Sequence, residues 1–377
     1  MGTILELNDY LAAVITPQGI TQTHGAAAYA EGNLVFGDAA QARSKTHPQQ
    51  FNHRYLSSLS AQPLAASMGP AKNHADLVYH HLKALDLASG NQPIAIAVPS
   101  HLANEQLGLL LGICQELSIT VTGFIDITMA HAMTAAAQGP LTVVDIELHR
   151  LTLSHYDVAD GEIVLLDNKV WDGRGINHIV EGWMAAVADE FVQQTRFDPL
   201  HAGHTEQQLF AMAWTWLNQP PQSRCRIAIS QDDQQIEIEL SAEVLVDKLR
   251  HRFDGVTLDV RGSLFHTHRL ASLPGIQDWL AADTMSRALG GPEDVSSIYF
   301  DLSERLDPSA IRRMTRSTLL SSVETSSPQL PQPTSATHLL HDNVALPIDS
   351  LAGSRAFTPG EKILIDGVQY TSIRVEG

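Results

Sequence analysis

One order of elements occurs twice along these 377 residues and limits the fold more than any other feature: short apolar strands joined by polar turns, then helices. In the first pass, Thr3–Thr16 clusters Ile4, Leu5, Leu7, Leu11, Val14 and Ile15 around Asn8-Asp9, which predicts a strand, a tight turn and a second strand. Asp38 stands where an N-cap is preferred ahead of an alanine-rich helix, and residues 74–88 carry a second helical pattern. The run Pro93-Ile-Ala-Ile-Ala-Val-Pro99 predicts a strand, Asn104–Leu117 a helix and Ile119–Ile125 another strand, which together make a β-α-β unit.

The second pass opens on strands at 141–146, 151–158 and 162–169, with a turn at Asp160-Gly161, ahead of a helical region over 175–217. Parallel strands joined by helices bury both faces of a sheet, so the apolar run Leu141-Thr-Val-Val-Asp145 is expected to be central. A hairpin over 223–239 around Gln231-Asp232-Asp233 follows, then a helix from Ser241, its expected cap, to Phe253. A strand over Thr257–Val260 and a helix over Gly275–Leu289 complete the pass. The fold class read from this alternation is α/β.

The chain is too long for one ordinary core, at roughly 100–200 residues per domain. Hydrophobic residues make up 44% and charged residues 18%, so a sizeable core can be buried. Boundaries are predicted at 1–139 for a first lobe, with an inserted subdomain over 38–92, and at 140–316 for a second, with a helical insertion over about 178–222. The stretch 317–337, rich in Ser, Thr, Pro and Gln, is expected to be a linker, and 338–377 a β appendage with a hairpin around Asp366-Gly367. The 24 Lys and Arg against 42 Asp and Glu leave a net charge of −18, a field that repels phosphate backbones and argues against nucleic acid as partner. No apolar run approaches the ~18 residues of a membrane span, and no basic N-terminal segment precedes an apolar one. Two cysteines, Cys114 and Cys225, without C-x-x-C spacing fit a reducing compartment, so the expected location is the cytoplasm.

Two segments carry a resemblance to a known family: Glu31-Gly-Asn-Leu-Val-Phe-Gly-Asp38 continuing to Leu56, and Ala97-Val-Pro-Ser-His-Leu-Ala-Asn-Glu-Gln106. Weaker echoes lie in Ile119–Met133, around Asp145, in Asp172-Gly-Arg-Gly-Ile-Asn177 and in Leu273-Pro-Gly-Ile276. Over about residues 3–320 the sequence resembles the DnaK-type heat-shock chaperones of the actin-like ATPase superfamily, in a bacterial side-branch. The resemblance implies a two-lobed fold of duplicated ribonuclease-H-like sheets with helices, plus a small C-terminal β segment. It also implies an ATP site between the lobes, with two glycine-rich turns on the phosphates and carboxylates organising magnesium.

Every segment the resemblance assigns to that site carries losses. At the first turn the family's Asp-Leu-Gly-Thr-Thr is matched by Glu6-Leu7-Asn8-Asp9-Tyr10, and at the second Asp145 is kept while Glu147, Leu148, His149 and Arg150 stand where glycines and a threonine should follow. Phosphate oxygens need close approach of bare backbone, which side chains obstruct, and a glutamate there repels them. The family's γ-phosphate lysine corresponds to Arg54, its metal aspartates to Asn168 and Gly175, its glutamate after the crossing helix to Ile127 beside Asp126, and its adenosine turn to His268-Arg269. The adenine-clasping helix corresponds to Gln207–Asn218, without a basic residue. The resemblance therefore implies a pseudo-ATPase that binds protein as a scaffold, adaptor or regulator, with no catalytic residue, no metal and no cofactor. A divergent chaperone-type ATPase using ATP with magnesium is the alternative. Only about 40 residues follow the linker, too few for the family's client-binding sandwich and lid.

Blander readings stand beside these. Asp145 is either a leftover metal-water ligand or an ordinary strand-terminal turn residue, and Arg54 a solvated arginine. The pairs His201/His204 and His266/His268 lack a third ligand at metal spacing. Trp214, Trp216 and the run Leu107–Leu111 read as helix packing.

Overall fold

The computed structural model describes residues 2–87, 92–280 and 286–319, together with the backbone of four strands beyond them. The chain divides into two compact units, Met1–Leu319 and Leu320–Gly377.

The first unit is α/β and is built on two sheets of like order. In one, β1 (Thr3–Leu7), β2 (Leu11–Thr16) and β3 (Gly19–His24) form an antiparallel meander, and β4 (Ile94–Val98) and β5 (Val121–Asp126) extend it in parallel from β1, giving the order β3-β2-β1-β4-β5. All five residues of β4 are buried, as an unbroken apolar run in a central parallel strand requires. Helix α1 (His74–Ala84), capped by the Asn73 side chain on the Asp76 amide at 2.8 Å, and α2 (Asn104–Glu116) bury Leu77, Leu82, Leu107 and Leu110 in the same core as Leu5 and Ile96. Helix α3 (Ile127–Met133) leaves the end of β5 and is wholly buried.

The second sheet repeats the first. Strands β6 (Gly139–Ile146), β7 (Arg150–Ala159) and β8 (Glu162–Asp172) form the meander, and β9 (Ser263–His266) and β10 (Ser286–Ala288) run parallel from β6, giving β8-β7-β6-β9-β10. Helices α4 (Ile176–Thr195), α5 (Gly203–Thr215) and α6 (Ala242–Arg252) and the hairpin Cys225–Leu240 pack with Val144, Ile146 and Leu153 around the buried Trp183. Helix α7 (Pro292–Glu304) follows. The chain then passes from one sheet to the other. Strand β11 (Arg313–Met314) pairs in parallel with β5, and β12 (Arg316–Thr318) antiparallel with β8.

Several expectations need correction. The helical region over 175–217 is two helices, parted where Arg196 takes a left-handed conformation (φ 65°). Asp38 is the first residue of a short helix, Asp38–Gln41, rather than its cap, and Ser241 precedes α6 without a side-chain cap bond. Thr257–Val260 is not a strand; its backbone is engaged by side chains instead, with His155 Nε2 donating to the Asp259 carbonyl at 2.6 Å, and the ladder position goes to Ser263–His266. Of the helix expected over 275–289, Ile276–Leu280 is helical among the described residues, residues 281–285 lie outside them, and Ser286–Ala288 is a strand because pairing with β9 overrides its weak β propensity. Ser317 and Thr318, expected in the linker, belong to β12, and the rest of that stretch, 320–337, lies outside the described residues. In the second unit, strands Val344–Pro347, His338–His341, Val368–Ile373 and Lys362–Ile365 lie in that order as an antiparallel sheet, as the alternation around residues 362–373 predicts, while residues 366 and 367 of the expected turn lie outside the described residues.

Candidate functional site

The two meanders share one register. The last paired residues of the first hairpin are Leu7 and Ala12, and of the second Ile146 and Leu151, so each connection spans four residues and Glu6 is the counterpart of Asp145, Asp9 of Leu148. Both turns come together. The Leu148 amide donates to Asp9 Oδ1 at 2.7 Å, so counterpart residues touch across the two halves.

Behind the turns, the strand-end carboxylates meet on one cation. Arg269 donates through Nε and Nη2 to the two oxygens of Asp145 at 3.0 and 2.7 Å, and through Nη1 to Glu6 Oε1 at 3.0 Å. Thr267 donates to Asp145 Oδ1 at 2.5 Å, the Ile146 amide to the same oxygen at 2.8 Å, and Tyr299 from α7 to Glu6 Oε2 at 2.9 Å. Glu6, Asp145 and Arg269 are all buried, at 8%, 2% and 6% exposure, which puts the pair of acids and their counter-ion out of water. Burial alone raises the Asp145 carboxyl; the Arg269 charge and hydrogen bonds outweigh it and hold the group below its ordinary value. For Arg269 burial works against the charged form, and Asp145 and Glu6 overcome it, raising the guanidinium further.

The turns themselves carry a second polar cluster. Asn8 Oδ1 accepts the Tyr10 amide at 2.8 Å, and its Nδ2 is buried without a partner, as is Asp9 Oδ2. Asp9 is pushed up to about 7, by burial first and by the Glu147 carboxylate second. Arg150 donates to His101 Nε2 at 2.7 Å; with Arg150 as donor the ring proton sits on Nδ1, which lies 3.2 Å from Glu147. His149 Nε2 donates to the His53 carbonyl at 3.0 Å, and burial lowers both rings, His149 to about 4 and His53 to about 3. The cavity lined by Asp9, Ser57, His101 and Glu147 holds about 20 Å³, and that lined by Glu6, His131, His268 and Arg269 about 20 Å³, each room for a single water.

Five of the eight residues singled out in the sequence, Glu6, Asn8, Asp9, Asp145 and Glu147, thus lie at the two strand ends and their turns, and a sixth, Arg269, reaches them from the short helix His268–Ala271. Arg54 does not join them: it is exposed, and its amide donates to Asn52 Oδ1 at 2.8 Å. His268 is half-buried with its ring 5.5 Å from that of His131, and burial, then Arg269, lowers it to about 4. Asn168 is exposed on β8 opposite Ser154, and Gly175 precedes α4. Asp126 caps α3 through the Met129 amide at 3.0 Å and accepts from Tyr156 at 3.1 Å, joining the end of β5 to β7. Helix α5, which holds most of Gln207–Asn218, docks on the first half: Gln207 donates to the Gln41 carbonyl at 3.0 Å and accepts the Lys45 amide at 2.8 Å, Glu206 pairs with Lys45 at 3.2 Å, and Trp214 donates to His24 at 3.1 Å. Between them lies a cavity of about 240 Å³.

Sequence reasoning missed Thr267, Tyr299 and His101. Thr267 adjoins His268-Arg269 and was within reach of the same motif; Tyr299 sits in a helix that no motif marks. Cys114 is buried and Cys225 half-buried, both free. Among the described residues no three His, Cys, Asp or Glu side chains are grouped to hold a metal, and no helix is long and apolar enough to cross a membrane. No protein-family model matches the chain, and no curated protein matches it.

Proposed function

We propose that this chain is a DnaK-like member of the actin-like ATPase superfamily that has given up nucleotide chemistry and acts as a protein-binding scaffold, adaptor or regulator. The fold reading rests on the duplicated strand order, 3-2-1-4-5 in each half, and on the matching register of the two hairpins. The observation that carries the functional reading is the Arg269 guanidinium lying between Glu6 and Asp145. In a nucleotide-binding relative of this architecture, strand-end carboxylates of this kind would face a magnesium ion and phosphates. Here the counter-charge is part of the chain itself.

The residues do not fit a magnesium triphosphate. Both oxygens of Asp145 are taken by Arg269, the turns present side chains where bare backbone is needed, the Glu147 carboxylate brings negative charge against phosphate, and the two cavities beside Asp9 and beside Glu6, about 20 Å³ each, leave no room for it there. No step through ATP is assigned. Without a ligand that binds two arrangements of the halves differently, any switching has to come from a partner. The antiparallel sheet of the second unit, edged among its described residues by Val344–Pro347 and Lys362–Ile365, offers backbone for a partner to add a strand. Titration calorimetry of the full chain with Mg-ATP, followed by a phosphate-release assay, tests the reading: no binding heat and no turnover are expected, and micromolar binding with turnover overturns it.

A further inference from the structure

Where the chain crosses from the edge of β5 to the edge of β8 it borders a cavity of about 420 Å³, a volume within the usual range of ligand pockets, roughly 300–1,000 Å³. Four arginines line it, Arg305, Arg312, Arg313 and Arg316, against two carboxylates, Glu162 and Asp307. That is a local excess of positive charge in a chain whose net charge is −18. None of these residues belongs to the Arg269 cluster.

Three of the four guanidinium groups have no carboxylate partner. Arg305 is paired with Asp301 at 2.6 Å and bound to Thr318 Oγ1 at 2.7 Å. Arg313 is held by neutral carbonyls, Ser100 at 2.7 Å and Leu102 at 2.9 Å, and its Nε is buried without a partner. The side chains of Arg312 and Arg316 are exposed and make no hydrogen bond or ion pair among the described residues. Asp307 feels the charge of Arg312 without forming an ion pair with it, and its Oδ1 accepts the Ser309 amide and hydroxyl at 2.9 and 2.6 Å. Guanidinium groups gathered on one cavity repel one another, and their planar forks match the oxygens of phosphate and carboxylate.

We infer that this cavity is a binding site for a multiply charged oxyanion, of phosphate or carboxylate type, carried on a small ligand. Arg313, fixed by the carbonyls of the Pro99–Leu102 segment, is the preorganised cation, and Arg312 and Arg316 close on the anion from the exposed side.

The test is calorimetric titration of the full chain with pyrophosphate and, separately, with citrate, each at constant ionic strength. Saturable one-to-one binding of at least one is expected; pyrophosphate alone points to a phosphate-bearing ligand, citrate alone to a polycarboxylate, and both to recognition of charge and shape without discrimination. The double variant Arg312→Ser, Arg316→Ser removes only exposed side chains and is expected to melt like the parent and to bind about tenfold more weakly or worse. Absence of saturable binding for both anions, or binding of equal strength in the double variant, overturns the proposal.

Discussion

At the residue scale, Arg269 decides the charge balance at the two strand ends. Two buried carboxylates share one guanidinium, and removing one member of such a cluster leaves uncompensated charge, at a cost of about 3–5 kcal/mol. Arg269→Met should lower the unfolding free energy read from urea titration by that amount, and adding Glu6→Gln and Asp145→Asn should recover most of it; a loss below about 1 kcal/mol in the single variant contradicts a buried ionic cluster. Asp9 works in the opposite sense. Its carboxyl titrates at about 7 in the fold against 3.8 outside it, so the folded chain holds more protons between those values, and its contribution is present below 3.8 and lost as pH rises to 7. Asp9→Asn keeps an acceptor for the Leu148 amide without the charge, and its melting temperature should exceed the parent's at pH 8 by more than at pH 5. An equal difference at both values refutes the assignment.

At the scale of elements, the second turn depends on α4 coming close behind it. The Ile176 and Asn177 amides donate to the Glu147 and Leu148 carbonyls at 2.9 and 2.8 Å, so the free donors of the helix end are satisfied by the turn. Gly175 allows this approach: a Cβ there would fall 2.4 Å from the Arg150 nitrogen and 2.5 Å from His149 backbone atoms. Gly175→Ala is therefore expected to destabilise by about 1–3 kcal/mol, read as a lower thermal midpoint, and an unchanged midpoint would show that the turn can move away. Strands and helices with clean periodicity, such as Ile94–Val98 and Asn104–Glu116, were legible in the residues. Ser286–Ala288 and Arg316–Thr318 were not, because their strand character comes from the sheet edge they meet.

For the whole molecule, histidine burial sets the response to acid. Burial lowers His53 to about 3 and His81, His149 and His268 to about 4, and takes His131 further down. These rings are neutral in the fold, whereas the unfolded chain takes up protons below about 6.5, so stability is full above that value and falls as pH drops toward 4. Asp9 opposes the trend as a single group. On the alkaline side Tyr55, Tyr156 and Tyr299 are raised by burial, so their contribution is lost as pH climbs past 10. Urea midpoints measured across pH should fall at both ends, and a flat profile between 6.5 and 4 would contradict burial of the uncharged rings.

Local chemistry alone determined the alternation of strands and helices, the duplicated hairpin pattern and the apolar central strands, since periodicity and turn residues act over a few neighbours. The resemblance, rather than periodicity, brought forward the strand-end acids Glu6 and Asp145 and the turn residues Asn8, Asp9 and Glu147. Tertiary structure alone decided that Arg269, 263 residues from Glu6 and 124 from Asp145, supplies the charge they share, and that Arg54 stays outside. A buried ion pair is specified by packing between distant segments, and no spacing along the chain records it.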